Sequence, residues 1–105
     1  MKIWIDDVRP APSGYMWCKT VIEAKALIER CELYFTILPD IWEIEVIDLD
    51  YDAGEYAVYG GDYIKLMDWL VERGTLYPLA FHSQNCVGME YMKRMYRRYW
   101  LGENL

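Results

Sequence analysis

The chain has 105 residues, of which 54% are hydrophobic, and a net charge of −6. That length holds one domain, residues 1–105, with a core large enough to need no disulfide or metal staple, and the apolar share excludes a disordered chain. A net negative protein is not drawn as a whole onto a nucleic-acid backbone, so no DNA partner is expected. The apolar runs fall far short of the roughly 18 residues of a membrane span. The opening MKIWIDD meets acid too early for the apolar region of a secretory signal, so a cytoplasmic location without a membrane partner is expected. Cys18, Cys31 and Cys86 are odd in number and lack Cys-x-x-Cys spacing, which predicts buried free thiols rather than a disulfide framework or a zinc site.

In chain order, KIWI at 2–5 reads as a first strand, closed by Asp6, Asp7 and the breaker-rich VRPAPSG. Tyr15 to Lys19 suits a second strand. Thr20 and Glu23 form a capping box for a helix whose apolar face is Val21, Ala24, Leu27, Ile28 and Cys31, ending near Cys31. Segment 32–43 stays unassigned, strand or helix end, with a turn at Pro39-Asp40. Ile44 to Leu49 carries the strongest strand signal and runs into Asp50, Tyr51 and Asp52. Gly54 to Gly61 reads as a loop. Asp62 is a candidate N-cap for a helix with Tyr63, Leu66, Met67 and Leu70 inward and Gly74 as its stop. After Pro78, LAFHS makes a fourth strand. Asn85 caps a last helix from about Val87 to Trp100, with Met89, Met92, Tyr96 and Tyr99 inward.

Strands alternating with amphipathic helices predict an α/β fold around a parallel sheet, and ligands of such sheets bind at the carboxyl ends of the strands. Three strands finish there in polar residues: Asp6-Asp7, Asp50 with Asp52, and His82-Ser83. Carboxylates brought together repel one another, and a hard divalent ion such as Mg²⁺ relieves them. Asp6, Asp7 and Asp50 are therefore the candidate metal ligands. His82, the single histidine, is a candidate general acid or base, because an imidazole titrates near neutrality. Asp50 and Asp52 complete the catalytic candidates. Ser83 and the first amides of the last helix, from Asn85 to Gly88, are candidates to hold phosphate oxygens at a helix N-terminus, and Arg9 is a further phosphate-binding candidate. Asp48 lies one pleat deeper, where it needs a partner or a proton, with a capping role or pairing to Arg or Lys as the alternatives. Lys93, Arg94, Arg97 and Arg98 crowd four cations into six residues, a repelling pattern that a solvated surface tolerates and an anionic partner relieves.

The stretches MKIWIDDVRPAPSGYMWCKTVIEA, LDYDAGE, GGDYIKLMDWL and FHSQNCVGMEYMKRM resemble, in collinear order, the cyclic-phosphate processing receiver domains. IDDVRPAP and HS-x-N-x-x-G are the most specific parts. The resemblance implies a small receiver-like, flavodoxin-like three-layer sandwich with a trimmed, mainly parallel four-stranded sheet. It further implies metal-dependent handling of cyclic phosphates or RNA ends at an acidic pocket on the sheet's C-terminal edge. By the same resemblance Asp6 and Asp7 are the acidic pair, Asp50 and Asp52 the two acids of the family's L-D-H-D-L-G motif, and His82 and Ser83 its histidine and hydroxyl. Tyr51 and Ala53 depart from that motif, Tyr51 standing where the family has a second histidine.

Two other functions stay open on the residues alone. One is a receiver-derived module that has lost its chemistry and binds a nucleotide or a protein partner, which Tyr51 favours. The other is a phospho-accepting receiver using Asp50, for which no lysine follows a fifth strand. The expected ligand of the first reading is a phosphate-containing small molecule or an RNA end.

Overall fold

A computed structural model describes residues 1–104. Four strands, β1 (Lys2–Ile5), β2 (Tyr15–Cys18), β3 (Val46–Leu49) and β4 (Leu79–Phe81), form one parallel sheet in the order β2-β1-β3-β4. Helix α1 (Val21–Phe35) joins β2 to β3 together with the single turn α2 (Pro39–Trp42). A 3-10 turn (Gly54–Val58) and α3 (Ile64–Arg73) join β3 to β4, and α4 (Cys86–Tyr99) follows β4. This is the α/β fold around a parallel sheet that the residue pattern predicts, in the four-stranded receiver-like form that the resemblance implies.

Both helical crossovers run in the same direction across the sheet, so connections of one hand place α1 and α3 on the same face. The buried residues agree. Ile3, Ile5, Ile47 and Leu49 alternate onto one face and share a core with Val21, Ala24, Ile28 and Cys31 of α1, Tyr63, Leu66, Met67 and Leu70 before and along α3, and Met92 of α4. Burying those side chains is the main stabilising term, on the order of 1.5–3 kcal/mol for each large aliphatic one. The opposite face carries Trp4 and Asp48, neighbours in register across β1 and β3. It is covered by the loop 6–14, whose Arg9 carbonyl accepts from Trp4 Nε1 at 2.9 Å, and by Tyr15, edge-on to Trp4. The layer on this side is thin because β1 passes to β2 through a loop rather than a helix. Among the described residues, no helix is long and apolar enough to cross a membrane.

Several boundaries move. Thr20 caps α1 as its T-x-x-E spacing predicts, its hydroxyl accepting from Glu23 N, but the helix runs on to Phe35 instead of ending near Cys31. Leu33, Tyr34 and Phe35 are exposed, so the last turn breaks the apolar periodicity that marks a helix in sequence. The third strand begins at Val46 rather than Ile44. Asp62 is not a side-chain cap of α3. Its carboxylate turns back to accept from Ala53 N at 3.0 Å, and Tyr63, fully buried, starts the helix with its hydroxyl donating to Lys19 O at 2.7 Å. Gly74 ends α3 at φ +71°, the left-handed position that favours glycine. Tyr99 faces solvent rather than the core. Of the thiols, Cys18 and Cys31 are buried, burial pushing Cys18 up to about 12, whereas Cys86 is exposed on the first turn of α4.

Candidate functional site

The sheet ladder carries one residue past the end of each central strand. Asp6 N donates to Cys18 O and Asp50 N to Ile5 O, so both carboxyl-bearing residues are held by backbone bonds before the chain turns away. Asp6, 1% exposed, accepts from Val8 N at 2.9 Å and Arg9 N at 2.7 Å through Oδ1, and that Asx-type turn lifts the loop off the sheet. Asp50 Oδ1 accepts from Tyr51 N at 2.7 Å.

Asp6, Asp7 and Asp50 each bring one carboxylate oxygen within 4.8 Å of the others. Three oxygen donors at this spacing suit a hard cation such as Mg²⁺, which takes carboxylates and keeps several waters. The Asp7 carboxyl is raised above its ordinary value by burial, and the neighbouring charges of Asp6 and Asp50 push the same way, against a backbone hydrogen bond that lowers it. Repulsion within the cluster is thus a feature of the folded protein and not only of the sequence pattern. Gly54, at φ +56°, makes the approach possible: a Cβ there would lie 2.5 Å from Asp7 Oδ2.

His82 follows β4, its N–H donating to Leu49 O. Both ring nitrogens meet carboxylates: Nδ1 lies 2.7 Å from Asp48 Oδ1 and Nε2 2.9 Å from Asp6 Oδ2. The ring stacks on the Trp4 indole, centroids 3.6 Å apart and planes within 5°. The partner that Asp48 needs is therefore His82, rather than an Arg, a Lys or a capped amide. Sheet register explains the pairing. Asp48 stands beside Trp4 on one side and Ala80 on the other, and His82, two residues beyond Ala80, points to the same face. Only the Asp48 and His82 alternation hinted at this in the sequence, and strand order is what makes them neighbours. A direct proton exchange between His82 and a substrate, the role expected of it, finds no free ring nitrogen.

Beside the cluster lies a cleft of about 420 Å³ lined by Asp6, Arg9, Asp50, Asp52, Ser83 and Asn85, among others. Asn85 caps α4 as expected, its Oδ1 accepting from Gly88 N at 2.9 Å. Its Nδ2 donates to Asp52 Oδ2 at 3.1 Å, holding that exposed acid at the cleft, while Asn85 N donates to Ser83 Oγ. The Gly88 amide, expected to meet phosphate, is consumed by this cap, and Gly88 does not line the cleft. It is buried under the ring of Tyr51, where a Cβ would come within 2.4 Å of Tyr51 Cγ. Tyr51 is thus packed against α4. A larger cavity, about 500 Å³, lies at the opposite edge of the sheet between Phe35, Trp42, Leu76 and Tyr77. Its Glu32 is bound by Arg73 and Tyr77, and Glu45 pairs with the N-terminal amine, so it offers no free acidic cluster.

No curated protein and no solved structure matches the chain. Residues 1–98 match the sequence model of the cyclic-phosphate processing receiver domain. That match takes in the whole sheet, the acidic cluster, His82 and nearly all of α4, and the chain belongs to the cyclic-phosphate processing receiver family.

Proposed function

We propose that the acidic cleft is a divalent-cation site that processes a cyclic phosphate or a related phosphoester, on a nucleotide or an RNA end. The observation that carries this reading is the approach of the Asp6, Asp7 and Asp50 oxygens to within 4.8 Å at the mouth of a cleft that also presents Arg9, Ser83 and Asn85. Asp6, Asp7 and Asp50 would hold the ion, whose chemistry there is to neutralise phosphate charge and polarise the ester. Arg9 supplies a fixed positive charge on the cleft wall, and the Ser83 hydroxyl and Asn85 amide orient phosphate oxygens. Asp52, tethered by Asn85, is placed to accept a proton from an attacking water. His82 works behind the cluster, holding Asp6 at its Oδ2, so any proton it moves passes to Asp6 or Asp48 and not to the substrate. Net hydrolysis would form one bond from water oxygen to phosphorus and break one ester bond, leaving a phosphomonoester and a hydroxyl.

The test uses purified protein with Mg²⁺ and a nucleoside 2′,3′-cyclic phosphate, followed by phosphorus NMR. The reading expects a monoester product, lost in Asp50→Asn and on chelation. Absence of product across cyclic mononucleotides and cyclic-phosphate RNA ends would refute it.

Tyr51 carries a second reading. Where the family motif has a histidine this chain has a ring packed on Gly88, which favours a binding module that keeps its ligand intact. Calorimetry separates the two: a binder releases unchanged nucleotide after a saturable, cation-dependent heat. The phospho-accepting alternative is the weakest, since no lysine lines the cleft among the described residues; labelling of Asp50 by acetyl phosphate would support it.

A further inference from the structure

Strand β4 is an edge of the sheet, with β3 on one side and, among the described residues, no strand on the other. Its inward groups are spent on β3: Pro78 O accepts from Ile47 N, and His82 N donates to Leu49 O. Alternation along a strand then turns the N–H and C=O of Leu79 and Phe81 outward, toward the open edge. An edge of this kind is a template for another strand unless something covers it.

Next to that edge runs a groove of about 340 Å³, floored by Leu79, Phe81 and Tyr96 and walled by Glu90, Lys93 and Arg97. Phe81 and Tyr96 meet edge to face. Helix α4 returns along this side from Asn85 to Trp100, whose Nε1 donates to Tyr77 O just before β4. The groove therefore lies where the side chains of a fifth strand would project. Lys93, Arg94, Arg97 and Arg98 are all exposed, and none joins an ion pair among the described residues. Spacing matches as well. Lys93 and Arg97 are separated by about 6 Å along the helix axis, and alternate side chains of an extended strand repeat at roughly 6.6 Å.

We propose that the β4 edge and the cationic face of α4 together form a docking site for an extended acidic segment of a protein partner, which adds to the sheet as a fifth strand. Main-chain bonds to Leu79 and Phe81 supply the pairing, and acids at alternate positions reach Lys93 and Arg97, an arrangement of the β-augmentation type. Charge decides against a second copy of this chain paired through its own β4 edge. Pairing two β4 edges would bring two cationic α4 faces together, and like charges across an interface oppose association.

The probe is an eight-residue peptide of alternating valine and glutamate, blocked at both ends, titrated into the full-length ¹⁵N-labelled protein. The proposal expects saturable binding and slowed amide exchange at Leu79 and Phe81. It expects affinity at least tenfold weaker in the Lys93→Glu/Arg97→Glu double variant, and no binding of the valine–lysine counterpart. N-methylation of the peptide at alternate amides should abolish binding in one phase and spare it in the other. Shifts confined to α4 with the Leu79 and Phe81 amides still exchanging freely would overturn it, as would equal binding of both N-methylated forms or no saturable binding. Concentration-dependent protection of the same amides without peptide would also overturn it, by making a second copy the occupant.

Discussion

Replacing His82 with alanine tests whether the imidazole is a structural clamp on the acidic cluster. In the folded protein it touches Asp6, whose side chain is 2% exposed, and Asp48, whose side chain is 18% exposed, and it is itself 12% exposed. Removing one partner of a buried pair costs about 3–5 kcal/mol, because the other charge is left without compensation. Asp6 is almost fully buried but keeps the Val8 and Arg9 amides on Oδ1, and Asp48 has partial access to water, so the loss lies toward the lower end of that range. The Trp4 stack adds about 0.5–1.5 kcal/mol. Taking the lower end of the first figure with part of the second, the loss comes to about 3–4 kcal/mol. With a urea dependence of about 1–3 kcal/mol per molar, the unfolding midpoint at neutral pH should fall by roughly 1–4 M. A cycle of Asp48→Asn and His82→Ala should show a coupling of at least about 1 kcal/mol, since the two groups are in contact. If His82→Ala unfolds within 1 kcal/mol of the parent and the cycle shows no coupling, the two carboxylate contacts do not exist in solution.

Asp7→Asn should stabilise the metal-free protein at neutral pH. The folded Asp7 carboxyl sits above its ordinary 3.8, so the folded state binds more protons than the unfolded one between those two values, and stability declines as pH rises through that window. The advantage of the asparagine variant in Tm should therefore be larger at pH 7 than at pH 3.5, and an equal advantage at both would show that the cluster is not self-repelling. Adding Mg²⁺ should raise the Tm of the parent more than that of the variant. Gly88→Ala drives a methyl into the Tyr51 ring; overpacking of about 1–3 kcal/mol outweighs a helix-propensity gain of about 1 kcal/mol, giving a net loss of up to about 2 kcal/mol. Combining it with Tyr51→Ala should restore that part, read by urea denaturation, and a loss unchanged in the double variant would place the clash elsewhere.

The polar strand ends, the T-x-x-E and Asn85 caps and the apolar faces of α1 and α3 could be read from local pattern, because each is set by residues a few positions apart. The same local logic drew the eye to Asp6, Asp7, Asp50, Asp52, His82 and Ser83, since residues at the carboxyl ends of parallel strands must face one edge. It could not say which of them would touch. Strand order and register decided that Asp48 meets His82 and not a lysine or arginine, that His82 spends both nitrogens on carboxylates, and that Trp4 lies under its ring. Packing decided that Gly88 gives its missing side chain to Tyr51, and that Asp62 turns back to Ala53 instead of capping α3. Apart from the Asp62–Ala53 turn, each of these joins residues far apart in the chain, and contacts of that kind form only when the sheet closes, whereas caps and amphipathic faces are written within a single turn or strand.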